Sequence, residues 1–185
     1  MGAWELWERA LVPKLLSGAG TWFGGECKGA VKICDDLQNF FWRVMLQVPE
    51  SCPKIALRCE PRMIGMKWRV WQEKILLVMR IKQQEEDSLS KQVYKEGKEK
   101  GWPGLGSEVK EICEKLNLPD VNENYIPKSA VKNAIFNHHY CDMKKEMEEK
   151  SSKLKEIQHE DFTSVQEYFK QKSVENTRMA LRVRS

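Results

Sequence analysis

No stretch of this 185-residue chain approaches the ~20 uninterrupted apolar residues that a membrane-spanning helix needs. The N-terminus, MGAWELWERALVPKLL, carries Glu5, Glu8 and Arg9 inside its apolar pattern and has no basic lead-in, unlike a signal or transit peptide. Apolar and polar residues never alternate for more than a few positions, and no segment repeats, which argues against a sheet or a solenoid. A phosphate-cradling glycine loop is missing as well. The glycines at 101, 104 and 106 surround a Trp-Pro turn and precede no lysine of the required kind. Cys27 and Cys34 are seven apart, as are Cys52 and Cys59, so neither pair forms the short Cys-x-x-Cys hook of a zinc site. These absences set the expectations: no metal, no cofactor, no membrane and no small-molecule substrate. With no secretory signal the six cysteines are expected to be free thiols, and the protein intracellular, in nucleus or cytoplasm.

What the chain does have is helical periodicity, strongest from Arg62 to Lys82. Ile64, Trp68, Trp71, Ile75 and Val78 recur at spacings of four and three, and Val70, Leu76, Leu77, Met79 and Ile81 fill the other faces. A helix apolar on most sides must be wrapped by others, so it is expected at the centre of an all-α, irregular bundle. Upstream, a helix over 3–16 presents Trp4, Trp7, Leu11 and Leu15, with Pro13 expected to kink it or end its hydrogen-bond ladder. Trp22 and Phe23 read as a packed loop. A second helix, about 28–48, presents Val31, Cys34, Leu37, Phe41, Val44 and Val48 and stops at Pro49. Ser51 suits the cap of a short helix starting at Pro53, with Ile55, Ala56 and Cys59 facing inward.

Downstream, helical pattern returns at 89–98 and ends in the Gly101-Trp102-Pro103-Gly104 turn. Ser107 then caps a helix carrying Val109, Ile112, Cys113 and Leu116. After a loop at PDVNEN, a helix at about 128–150 holds Val131, Ile135, Tyr140, Met143 and Met147 inward and ends in solvated Lys- and Glu-rich turns. Short helices at 162–171 (Phe162, Val165, Phe169) and 173–184 (Val174, Leu181) form a looser extension. The domain reading is a bundle at 1–83, a helical region at 84–160 and short C-terminal helices at 161–185.

Charge is unevenly spread although the net is only +4. Residues 61–100 carry ten basic and six acidic groups, and residues 161–185 carry five and three. Arg62, Arg69 and Arg80, near whole turns apart, line up opposite the tryptophan seam. Arg178, Arg182 and Arg184 make a second basic group, which Lys128 and Lys132 extend. Two readings stay open for these residues: phosphate clamps on a nucleic acid, or a solvated helix face.

Reaction chemistry finds little support. Asp35 and Asp36 adjoin like a polymerase carboxylate pair, but they fall in a periodic helix that points them to solvent. His138, His139 and Cys141 are close in sequence yet point apart on a helix, and no base or oxyanion loop accompanies a cysteine. No catalytic residue is expected.

Two stretches go beyond periodicity: GAWELWERALVPKLLSGAGTW at 2–22 and LQNFFWRVMLQVPESCPKIALRCE at 37–60. Their blocks Leu-Trp-Glu, Gly-Thr-Trp, Leu-Gln-Asn and Val-Pro-x-Ser-Cys-Pro resemble, in order, the region after the polymerase core in LINE-type endonuclease/reverse transcriptases of non-long-terminal-repeat retrotransposons. The resemblance continues through MKWRVWQEK, GWPGLG and KSAVKNAIFNHHYCDMKKEM, and so covers nearly the whole chain. It implies a thumb and downstream helices that pack against template and primer, cut off before a Cys/His knuckle and lacking the upstream metal-binding aspartates. The function it implies is non-enzymatic: weak, sequence-independent binding of RNA or DNA through backbone phosphates. The alternative is an interaction module, or an inert open reading frame, whose helices once packed on the missing upstream polymerase core. Trp4, Trp7 and Trp22 would then be exposed.

Overall fold

Every regular element among the described residues of the computed structural model is a helix, as the periodicity requires. The structure describes residues 2–22, 28–50, 52, 54–59 and 63–150. In order these are α1 (Ala3–Glu5), a π-helical segment (Leu6–Leu11), α2 (Val12–Leu15), α3 (Ala19–Trp22), α4 (Lys28–Leu46) and α5 (Lys54–Cys59). Then come α6 (Met66–Lys82), α7 (Leu89–Glu99), α8 (Leu105–Lys115) and α9 (Lys128–Lys150). The segments expected as helices at 162–171 and 173–184, the Ser51 cap and Pro53 lie outside the described residues.

Pro13 is accommodated rather than obeyed as a helix breaker. The turn ahead of it widens to π, with the Val12 N–H donating to the Trp7 carbonyl five residues back. A wide turn shifts the inward face by one residue. Ala3, Trp7 and Val12 are the buried positions, spaced four and five, while Leu11 and Leu15 are half-buried.

Three helices end in one local device. After α4, α7 and α8 the residue past the cap takes a positive φ: Gln47 at 54°, Gly101 at 64° and Asn117 at 53°. The next N–H then reaches back over the last turn, Val48 to Arg43, Trp102 to Gly97 and Leu118 to Cys113, at 2.9–3.2 Å. The Pro49 stop and the Gly101 turn therefore lie where the sequence puts them, although α4 closes at Leu46. At the start of α8 the helix begins at Leu105. Ser107 sits inside the first turn, accepting the Gly104 N–H at 3.1 Å.

The chain divides into two compact units. The first holds the described residues of 1–17, 32–66 and 139–150. Its core carries Trp7, whose ring lies 5.0 Å from Phe41, and Trp42, edge-on to Phe41 at 5.1 Å. Asp35 is no solvated carboxylate here. It accepts the Met66 N–H at 3.0 Å, capping the start of α6, and pairs with Arg58 at 3.3 Å. His139 is buried and its Nε2 donates to the Met63 carbonyl at 2.9 Å.

The second unit holds the described residues of 18–31 and 67–138, with most of α6 at its centre. Trp68, Val70, Ile75, Val78, Met79 and Ile81 are buried there, so α6 is covered on several sides as its composition demands. Gly20 makes a close approach: a Cβ built there would lie 2.7 Å from Leu77 Cδ2. From α8, Val109, Ile112 and Cys113 pack inward, and from α9, Val131 and Ile135.

Candidate interaction site

The basic residues of α6 are largely spent within the protein. Lys67 lies 4.7 Å from the ring centres of both Trp68 and Trp71, which themselves meet edge-on at 5.0 Å. Lys74 is buried in an ion pair with Glu108. Lys82 donates to the Val121 and Asn122 carbonyls at 2.9 and 3.0 Å. Of the expected clamps, Arg69 is half-buried and engaged within the chain. Arg80 is exposed, 3.6 Å from Glu73, and donates from Nε to the Leu76 carbonyl. Arg62, Arg178, Arg182 and Arg184 lie outside the described residues. Lys128 and Lys132 are exposed at the start of α9, and no ion pair among the described residues involves either.

The remaining chemical candidates are structural. Asp36 pairs with Lys54 at 2.7 Å, which holds its carboxyl below the usual range. Burial pushes the Cys34 and Cys113 thiols up, and Asp35 adds to the effect at Cys34, so little thiolate exists near neutral pH. His138 faces the Trp68 ring at 6.4 Å while neighbouring His139 turns to Met63 and Cys141 is exposed. Among the described residues no three His, Cys, Asp or Glu side chains gather to hold a metal ion. Nor, among those residues, is any helix long and apolar enough to cross a membrane.

The unexpected feature is α4, whose burial is turned from the expected face. Leu37 and Val44, placed inward by the sequence reading, are exposed. Cys34, Gln38 and Trp42 are buried instead, and so is Asn39. Gln38 donates to the Ile64 carbonyl at 3.2 Å, whereas neither amide atom of Asn39 finds a partner among the described residues. The outer face carries Ile33 and Phe40, 63% and 64% exposed, with Leu37 between them and Val44 beyond. These four recur at spacings of four, three and four, a continuous helical stripe. An apolar stripe turned to water while two amides are buried is the reverse of an ordinary surface helix. Of the residues that the spacing places inward, Cys34 is buried and Phe41 packs on Trp7, while Leu37 and Val44 belong to the exposed stripe. Of the tryptophans expected to be bared without the core, Trp7 is 1% exposed against Phe41 and Trp4 is half-buried, while the Trp22 side chain lies outside what the structure describes.

The second unit has a groove of about 690 Å³ between α7 and α8. Leu89, Val93, Tyr94, Trp102 and Leu105 supply its apolar wall, and Tyr94 donates to the Asn122 side chain. The Gly-Trp-Pro-Gly turn gave the sequence reading a helix end but not this wall.

No family model, curated protein or solved structure matches the chain.

Proposed function

We propose that this chain is a non-catalytic helical region of a LINE-type retrotransposon reverse transcriptase, from the part downstream of the polymerase active site, and that it works by docking. The motif blocks between residues 2 and 60 support the family. The exposed Ile33-Leu37-Phe40-Val44 stripe carries the docking reading. A helix face of this kind sits in an apolar groove of a partner and loses solvent there. The partner implied by the family is the polymerase core upstream. The test is calorimetric titration of this chain with a separately produced core. Binding that weakens at least tenfold in Leu37→Ser/Phe40→Ser, about 1.4 kcal/mol or more, supports the reading. Equal binding by the variant overturns it.

Weak, sequence-independent nucleic-acid binding is the second reading, favoured by Lys128 and Lys132. They are exposed, four residues apart and in no ion pair among the described residues. Binding of duplex or single strands that falls steeply between 50 and 200 mM salt, and falls further in Lys128→Gln/Lys132→Gln, supports it. Binding indifferent to salt, or none at low salt, counts against it.

A further inference from the structure

We infer that two copies of this chain pair antiparallel through the Ile33-Leu37-Phe40-Val44 stripe of α4, about a two-fold axis between Leu37 and Phe40. The inference rests on the stripe being a docking face and names a second occupant of it.

The stripe reads alike in both directions. Its spacings of four, three and four are unchanged on reversal. So is its order of side chains, with β-branched Ile33 and Val44 at the ends and the larger Leu37 and Phe40 between them. A two-fold axis requires that self-match, because each copy offers the same patch to the other. Reversed on itself, the stripe sets Leu37 against the second copy's Phe40 and Ile33 against its Val44. Every side chain of the stripe then meets an apolar one.

The flanks select the direction. Asp36 and Arg43, one heptad apart, lie along one edge of the stripe, and Cys34 and Phe41 along the other. In an antiparallel pair like edges meet, so Asp36 of each copy approaches Arg43 of the other. Arg43 donates from Nη2 to the Glu50 and Cys52 carbonyls at 3.1 and 3.2 Å, which fixes its charge on that edge. No ion pair among the described residues involves it. Asp36 is exposed and holds Lys54 through Oδ1. A parallel pair turns the same charged edge onto the apolar one, where neither charge finds its opposite.

Four residues a side fall short of the roughly 20–30 a side of a standard interface, so the pair is weak and dissociates on dilution. The core competes with the second copy for one face, and its apparent affinity falls as the chain is concentrated.

The experiment is light scattering of the full chain, without core, from about 5 to about 500 µM. It compares the wild type, Leu37→Ser/Phe40→Ser, and Leu89→Ser/Val93→Ser, a control in the groove wall of the other unit. The wild type and the control are expected to rise from one chain mass towards two, with association at least about tenfold weaker in the stripe variant. Direction is read by air oxidation of a mixture of Leu37→Cys and Phe40→Cys chains, with the joined peptides identified by mass spectrometry. Position 37 is expected to join position 40 several-fold more often than either joins its own kind. A wild type that stays monomeric throughout overturns the inference, as does equal association in the stripe variant. Loss of association in the control, or an excess of like-with-like joining, overturns it too. No core is present in this experiment, so its failure stands apart from a failed core titration.

Discussion

Lys74 of α6 and Glu108 of α8, 34 residues apart in sequence, form an ion pair in which the lysine side chain is 6% exposed and the glutamate 24%. The two partners are therefore not equivalent. Removing the glutamate charge leaves a buried ammonium without its counter-ion, whereas removing the lysine leaves a carboxylate that water can reach. Glu108→Gln is expected to cost about 2–3 kcal/mol and Lys74→Met less than about 1. Urea unfolding of the two variants measures the asymmetry. Equal losses would mean that both charges are solvated alike.

Gly20 offers a second test, because a Cβ there meets Leu77 at 2.7 Å (Cδ2) and 3.3 Å (Cβ). The leucine tip can swing away, but its Cβ moves only with α6. Gly20→Ala is expected to destabilise by about 1–2 kcal/mol in the wild type. With Leu77→Ala already present the 2.7 Å approach to Cδ2 is gone and only the 3.3 Å approach to Cβ remains, so the same change should cost less, about 0.5 kcal/mol or under. A double-mutant cycle by thermal or urea unfolding reads the difference. Additive effects would refute the contact.

Asn39 is 2% exposed and neither atom of its side-chain amide is hydrogen-bonded among the described residues. The amide has lost water without compensation, so Asn39→Leu should stabilise by about 1–2 kcal/mol. For a chain of this size that raises the melting temperature by about 2–8 °C, within reach of calorimetry. A fall in melting temperature would place a hydrogen-bond partner on that amide.

These residues also mark how far the sequence could be read. Trp68, Ile75 and Val78 lie on the seam that the spacing identified, because α6 is covered widely enough for any apolar period to point at core. On α4 the same method succeeded only in part: Cys34 is buried, but Leu37 and Val44 are exposed. Ile33-Leu37-Phe40-Val44 and Cys34-Phe41-Trp42 are both apolar, and period alone does not tell a buried stripe from an exposed one. Gln38 and Asn39 lay on the buried side, where composition would place solvent. The partners of other α6 charges were illegible for a different reason. Lys74 and Lys82 are partnered by Glu108 and by the 121–122 carbonyls, 34 to 40 residues on, and such partners leave no local signature. Asp35 shows the same limit: its role as a cap depends on Met66, 31 residues away.

Tyr94 stands in the wall of the groove. Its hydroxyl donates to Asn122 Oδ1, while the Asn122 amide donates to Asp120 at 2.7 Å and to the Gly106 carbonyl at 3.3 Å. Burial, helped by the nearby Asp120 carboxylate and Cys113 thiol, pushes the phenol up to about 12. The neutral phenol is thus the form that the fold favours. Its contribution to stability is complete below pH 10, where an unfolded tyrosine is also protonated, and is lost as the pH rises from about 10 towards 12. Absorbance at 295 nm should show a tyrosine step near pH 12 while the protein remains folded. Tyr94→Phe should remove that late step and flatten the decline of stability between pH 10 and 12. At neutral pH the variant should lose about 1 kcal/mol, because Asn122 Oδ1 is left without its donor. The absence of that late step in the folded chain would mean that water reaches the Tyr94 hydroxyl and that the groove wall is open there.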